Sequence, residues 1–413
     1  MAERDCDLLI VGGGPAGMMA ALLFARAGVS TLVAEKHGDF LRDFRGDTVH
    51  PSTMEILDQL GLLGRFLERP HNRLDRAQLS LAGRDWTIGD LSHLDTPAPF
   101  IAMMPQWDFL DFLRDEAEAY PGFRLVMRAP VVGFVEERGR VAGVRLEDGR
   151  ELRARLVVAA DGRSSIVRTM LAVEDLGAPM DVFWFRVGKT RSGQGALRGN
   201  VQRGRLLVMI DRGHYWQCAF LIPKGAAEAF RARGIEAVRA EIAAAAPPDL
   251  DLGELDAIDD LHLLSVKLDR LKRWHRPGLL AIGDAAHAMS PIGGIGINLA
   301  VQDAVAAANI LAGPLAKGAD VDKLLARVQR RRLWPTRVIQ AFQKVAQDRI
   351  IGRLLGPGEP ISEAPLPVRL LDRFPRLRRI PGRFIGLGVR RERVRSPDAG
   401  LRTRPSGKAS PPT

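Results

Sequence analysis

The stretch "DLLIVGGGPAGMMAALLFARAG", residues 7–28, constrains the fold more than any other part of this 413-residue chain. Its opening apolar run is the pattern of a strand buried on both faces in a parallel sheet. The run breaks at Gly12-x-Gly14-x-x-Gly17. Residues Met18 to Ala27, rich in Ala, Leu and Met, then predict a helix that stops at Gly28. "STLVAEK" supplies the next strand. Strand, glycine loop, helix and strand make a βαβ unit, whose crossover is right-handed.

The glycines have separable tasks. Gly12 permits the tight turn, Gly14 lets the backbone approach a pyrophosphate beside Pro15 and Ala16, and Gly17 lets helix and strand pack closely. The helix start offers unpaired N–H groups and a partial positive charge to that phosphate. Glu35 stands eighteen residues beyond Gly17, placed to accept hydrogen bonds from a ribose without a 2′-phosphate. Lys36 follows it in the same expected site.

Two further apolar strands end abruptly, "RLVVAADG" (155–162) and "GLLAIGDAAH" (278–287). Between them "MDVFWFRVGK", "GRLLVMIDRG" and "YWQCAFLIPKG" are aromatic and partly alternating, as in an antiparallel sheet with one face on a core or ligand. A parallel α/β body is thus interrupted by a β-rich insertion. The expected division is 1–72, 100–173 and 272–355 for the body, 73–99 and 174–271 for the β-rich part, and 356–413 for a basic C-terminal extension.

Composition narrows the class. Hydrophobic residues are 46% and charged residues 26%, as in a globular protein with a large core. The two cysteines, Cys6 and Cys218, sit in no CxxC or Cys/His cluster, so neither a disulfide framework nor a metal site is expected. No signal-peptide pattern is seen and the apolar runs read as too short to span a bilayer, so a cytoplasmic protein is expected. Of the net charge of +11, nearly all lies in Leu366–Thr413, with thirteen Arg and Lys against three acids. A nucleic-acid partner is therefore not expected, because the body is nearly neutral. The extension is either a solvated tail or a peripheral contact to the inner face of an anionic membrane, since apolar residues interleave with arginines in "RFPRLRRIPGRFIGLGVRRERVR". Only the last dozen or so residues are compositionally disordered.

"AADGRSSIVR" (159–168) carries Asp161 at a strand end, with Ser165 and Arg168 behind it. "GDAAHAMSPIGGIGINLAVQDA" (283–304) carries Gly283 and Asp284, then Gly294 and Gly296 before a helix. With "GGGPAG", "FRGDTVHPSTMEIL" and "QWDFLDFL", these motifs over residues 5–355 resemble the single-component FAD-dependent aromatic hydroxylases (group A flavoprotein monooxygenases), with 4-hydroxybenzoate hydroxylase as fold representative. The resemblance implies an α/β Rossmann-like FAD-binding domain with an inserted antiparallel β-sheet substrate domain. It implies that Arg45 and Gln106 hold FAD, that Asp161 serves FAD and nicotinamide, and that Asp284 meets the ribityl chain. Pro291 would lie beside the reactive flavin edge, and Gly296, Ile297 and Asn298 would face the pyrimidine end of the ring. Pro291 and Gly296 would shape the ring's surroundings, with no side-chain catalyst assigned. His50 and His287 read as hydrogen-bonded structural residues, and Gln302 and Asp303 as helix caps or packing.

The implied activity is hydroxylation of an aromatic or other hydrophobic small molecule, using NAD(P)H and O2 through a flavin hydroperoxide, by a monomer or homodimer. Alternatives are a flavin-dependent reductase or dehydrogenase of an isoprenoid-type substrate, and a catalytically silent FAD-binding partner protein. Only two tyrosines, Tyr120 and Tyr215, are present, so a tyrosine pair that deprotonates a phenol is not expected; a larger, more hydrophobic substrate is. Phe183, Trp184, Phe185, Met209, Trp216 and Phe220 are candidates to roof its cavity, with alternation turning about half of them away.

Overall fold

A computed structural model describes residues 4–41, 48–81, 84–189, 197–202, 205–247, 250–352 and 364–402. Its central sheet runs β19 (His275–Arg276), β20 (Leu279–Ala281), β11 (Glu151–Ala159), β1 (Cys6–Val11), β2 (Thr31–Ala34) and β8 (Phe123–Val126). β20, β11, β1, β2 and β8 are parallel, and β19 pairs antiparallel at the edge. A hairpin of β9 (Val131–Glu137) and β10 (Arg140–Leu146) extends β11.

The predicted first helix forms as α1 (Pro15–Arg26). Its residues Ala16 to Ala25 are all buried, as befits a helix apolar all round. It lies between the sheet, α4 (Gln106–Ala117) and α7 (Gly296–Ala316). α7 belongs to Ile292–Ala316, a stretch long and apolar enough to cross a bilayer, contrary to the expectation that every apolar run is too short. Of its most apolar window, 78% is buried inside the protein, so it serves as a core helix. α8 (Asp322–Ala346) packs on it. α2 (Pro51–Gln59) and α3 (Leu63–Leu67) complete this layer.

A second sheet has the order β17 (His262–Leu264), β13 (Met180–Gly188), β16 (Tyr215–Pro223), β15 (Arg205–Asp211), β14 (Leu197–Gln202), β5 (Arg76–Leu81) and β6 (Arg84–Asp90). It is antiparallel except where β5 runs parallel to β14. That exception arises because the β5–β6 hairpin enters from a distant part of the chain and not through a tight turn. α5 (Ala227–Arg231) and α6 (Ile235–Ala243) cover its outer face. Two small sheets join the layers: β3 (Thr48–Val49), β7 (Ile101–Met103) and β4 (Asn72–Leu74), and β12 (Val173–Asp175), β18 (Asp269–Leu271) and β21 (His287–Ala288).

The C-terminal extension does not hang free. α9 (Leu366–Arg373) and α10 (Arg379–Leu387) lie on β6. The chain then crosses the helical layer, where Arg391 pairs with Glu55 at 2.5 Å, Asp398 with Arg26 at 3.1 Å and Arg402 with Glu116 at 2.5 Å. Those acids belong to the body or to the extension itself, so the body's near neutrality still leaves local acidic partners for tail arginines. Residues 403–413, most of the compositionally disordered end, lie outside the described residues. Both cysteines are free and buried, and burial pushes the Cys6 thiol up to about 12, so neither is a reactive thiolate.

Candidate active site

The three motifs converge at the carboxyl ends of β1, β11 and β20, where open α/β sheets bind their ligands. Gly12 has φ of 98°, and a Cβ there would meet the Ala160 carbonyl oxygen and the Asp161 Cα, each at 2.7 Å. A Cβ on Gly17 would stand 2.0 Å from the Gly12 carbonyl oxygen. A Cβ on Gly14, by contrast, would meet nothing beyond its chain neighbours closer than the Ala160 carbonyl oxygen at 4.0 Å. The loop is therefore closed on its protein side and open at Gly14, with Pro15 as the first residue of α1. This is a cradle that fits a pyrophosphate.

Glu35, at the end of β2, is buried. Its Oε2 accepts the Gly13 N–H at 2.7 Å and its Oε1 the His37 N–H at 3.0 Å. The acid therefore also shapes the loop, a second task that the motif did not reveal. Lys36 is exposed and close enough to lower the pKa of Asp161. Burial dominates at Asp161 and raises its carboxyl above the ordinary range, partly offset by Ser165 and the Ile166 N–H. Its Oδ1 is buried with no partner among the described residues, while Oδ2 accepts the Ile166 N–H at 3.3 Å. Gln106 opens α4 and is half-buried. Arg45 lies outside the described residues.

The third motif packs directly on the first. A Cβ on Gly283 would stand 2.9 Å from the Cβ of Ala16 and 3.2 Å from that of Ala300. Asp284 is gripped by Arg163, whose Nε donates to Oδ2 at 2.9 Å, while Arg163 also reaches the Met289 carbonyl at 3.3 Å. Arg168 donates to the Asp284 carbonyl at 2.7 Å and pairs with Asp269 at 2.8 Å. The second motif thus clamps the third.

Behind this turn lies a buried charge network. Asp303 Oδ2 accepts the Gly283 N–H at 3.1 Å and lies 2.6 Å from His287 Nε2; its Oδ1 accepts from Arg332 Nε at 2.8 Å. Arg332 continues to Glu392 of the extension at 3.3 Å. Burial acts to raise the Asp303 pKa, but His287 and Arg332 outweigh it and the net direction is down. His287 and Asp303 thereby act as hydrogen-bonded structural residues, with Asp303 holding the Gly283 turn rather than merely packing its helix. The Glu392 N–H donates to Gln302 at 3.3 Å.

After Asp284 the chain turns at half-buried Pro291, with Gly293 and Gly294 both in the left-handed region, and enters α7 at Gly296. The first-turn N–H groups at Gly296, Ile297 and Asn298 have no intrahelical acceptor and point the positive end of α7 at this space. The Asn298 side chain is fully used inside the protein. Its Oδ1 accepts from His50 N and Thr53 Oγ1, both at 2.8 Å, and its Nδ2 donates to Thr48 and Gly294 carbonyls. Only its backbone N–H remains for a cofactor. His50 Nδ1 donates to the Ile385 carbonyl at 2.9 Å, and burial pushes its pKa down to about 4.

The second sheet corrects most of the expected roof. Phe183, Phe185, Met209, Trp216 and Phe220 form the outer core against α5 and α6. Of the six candidates only Trp184 sits on the inner face. There it joins Val182, Leu206, Val208, Ala219 and Leu221, and these pack with Ile292 from the turn after Pro291. Trp184, Leu206, Val208 and Ile292 are only half-buried, so the inner face keeps apolar surface in reach of a ligand. The Trp184 indole N–H is buried with no partner among the described residues.

The sequence model for the FAD binding domain family matches residues 5–342. The 6-methylpretetramide 4-monooxygenase of Streptomyces rimosus is 34% identical over 401 residues, which is 94% of each chain. A rifampicin monooxygenase of Streptomyces venezuelae is 31% identical over 72% of this chain, which spans only 62% of that longer protein. Among solved structures, p-nitrophenol 4-monooxygenase from Pseudomonas putida DLL-E4 superposes with a TM-score of 0.74 at 20% identity, covering 95% of this chain and all of that one, a likeness of fold.

Proposed function

Because this chain belongs to the FAD-dependent aromatic hydroxylase family, and so is an FAD-dependent aromatic monooxygenase, we propose that NAD(P)H is its electron donor and a hydrophobic aromatic molecule its substrate. The balanced reaction is Ar–H + O2 + NAD(P)H + H+ → Ar–OH + NAD(P)+ + H2O. One oxygen atom enters the ring and the other leaves as water. The substrate is of the kind for which the S. rimosus relative is named, 6-methylpretetramide.

The observation that carries this reading is the contact between Ile292, just after Pro291, and the apolar inner face around Val182, Ala219 and Leu221. It brings the turn that follows the third motif against the half-buried apolar face of the second sheet, which supports one shared site for cofactor and ligand. FAD, when bound, supplies hydride acceptance and oxygen activation. The chain's residues do the rest. The Gly12–Gly17 loop and the start of α1 would hold the diphosphate, Glu35 the ribose and Asp284 a hydroxyl of the linking chain. The N-terminus of α7 would stabilise negative charge on the reduced ring, a term worth ~0.3–2 kcal/mol. The half-buried apolar inner face would exclude water and seat the aromatic substrate, and the Trp184 N–H, buried with no partner among the described residues, would donate to a substrate oxygen.

The test is anaerobic reduction of the FAD-loaded protein by NADH and by NADPH, with 6-methylpretetramide and a panel of aromatics present or absent. Ligand-stimulated reduction, followed by hydroxylated product once air is admitted, supports the reading. Turnover of a reducible isoprenoid without O2 would instead favour a reductase, and tight FAD with no NAD(P)H oxidation a silent binding protein.

A further inference from the structure

The two C-terminal helices and the turn between them carry exposed apolar and arginine side chains that the proposed catalysis does not use. Leu366 and Leu370 on α9, Phe374 at the break after it, Leu377 in the 3-10 turn Pro375–Arg378 and Ile380 in the first turn of α10 are 65, 42, 53, 38 and 68% exposed. Arg369, Arg373, Arg376, Arg379 and Arg383 run alongside, the first four each immediately preceding one of the apolar residues Leu370 to Ile380. Arg378 turns inward to Asp372 at 3.1 Å. Among the described residues Arg373, Arg376, Arg379 and Arg383 form no ion pair, and all four are exposed.

The opposite side of α10 is fixed to the body. A Cβ on Gly382 would stand 1.9 Å from the Asp90 carbonyl oxygen, Gly386 abuts Leu91, Leu94 and Pro51, and the Ile385 carbonyl takes the His50 hydrogen bond. These outer side chains therefore belong to a rigid, docked element, and single exposed apolar residues do not explain a group of five. Exposed apolar side chains beside exposed guanidinium groups match helices lying in the plane of lipid headgroups. The apolar side chains enter the acyl boundary and the arginines meet phosphates. A second copy of the same face would set arginines against arginines, so charge complementarity favours an anionic bilayer over self-association.

We propose that α9 and α10 form a docking surface for an anionic membrane, which would place the cleft beside a reservoir of apolar molecules. The FAD-loaded full chain should co-sediment with phosphatidylglycerol-containing vesicles and much less with phosphatidylcholine vesicles, and salt should weaken the binding. Each arginine near such a surface contributes roughly fivefold in binding. The pair Arg376→Glu/Arg379→Glu should then lower vesicle partitioning about twenty-five-fold or more, and Phe374→Ser/Ile380→Ser should also lower it strongly. FAD content and the thermal midpoint should hold in both. Retention in the supernatant with anionic vesicles, or binding indifferent to both pairs, would overturn the proposal. So would variants that change only the sedimentation of the protein alone, which would mark a face between copies.

Discussion

Gly283 lies against Ala16, with room for nothing larger: a side-chain carbon on the glycine would come within 2.9 Å of the alanine Cβ. The two glycine-rich stretches, far apart in the sequence, are therefore in direct contact, as two walls of one candidate site. Gly283→Ala adds that carbon at a φ of 59° and should destabilise the fold by about 1–3 kcal/mol. Chemical denaturation checks this, and lowered FAD content should accompany it. An unchanged midpoint would mean the two walls are not in contact.

Asp284→Ala should reduce FAD retention after gel filtration, and Arg163→Gln should do so more weakly, because Arg163 fixes the carboxylate at 2.9 Å without being expected to touch the cofactor. Full FAD occupancy in Asp284→Ala would remove Asp284 from the proposed cofactor shell.

His50 gives the protein a pH dependence of known sign. Its folded pKa is about 4 against an ordinary 6.5, so the unfolded chain binds its proton first as pH falls. The stabilising difference is complete above pH 6.5 and is lost progressively as pH falls toward 4, reaching about 3 kcal/mol. His50→Gln should flatten this part of the stability profile between pH 6.5 and 4. An equally steep profile in the variant would assign the effect elsewhere.

The two faces of the second sheet should separate in kinetics. Trp184→Phe removes an indole N–H from the inner face and should raise KM for substrate or uncouple NAD(P)H oxidation from product, at roughly 1–2 kcal/mol. Phe183→Leu, one residue away but under α5 and α6, should lower stability and leave KM unchanged. Equal effects on KM would contradict the assignment of faces.

The nucleotide half of the site was legible in the sequence because its rules are local. A strand, three glycines, a helix and an acid at fixed spacing determine the loop, and the structure places all of them as that spacing implies. Interactions across the chain were not legible. Arg163 meets Asp284 from 121 residues away, and Arg332 meets Asp303 only because α8 packs on α7. Alternation shows that a strand has two faces but not which one meets the ligand. That was decided by α5 and α6, whose alanine-rich segment "AAEAFRARGIEAVRAEIAAAA" covers the face bearing most of the aromatics. The basic extension was legible only in part, for a similar reason. Its charge pattern offered a solvated tail or a membrane contact, while its partners inside the protein, Glu55, Glu116 and Arg332, lay in distant helices.

The central claim is that a single FAD site and the apolar face beside it put one atom of O2 on an aromatic substrate. Single-turnover reaction of the reduced, FAD-loaded protein with 18O2 and 6-methylpretetramide, or the best ligand from the panel, tests it most directly. One 18O atom per hydroxylated product, with one FAD per chain, is the predicted result. Product oxygen drawn from water, or oxidised flavin with no oxygenated product from any ligand that accelerates its reduction, would contradict it.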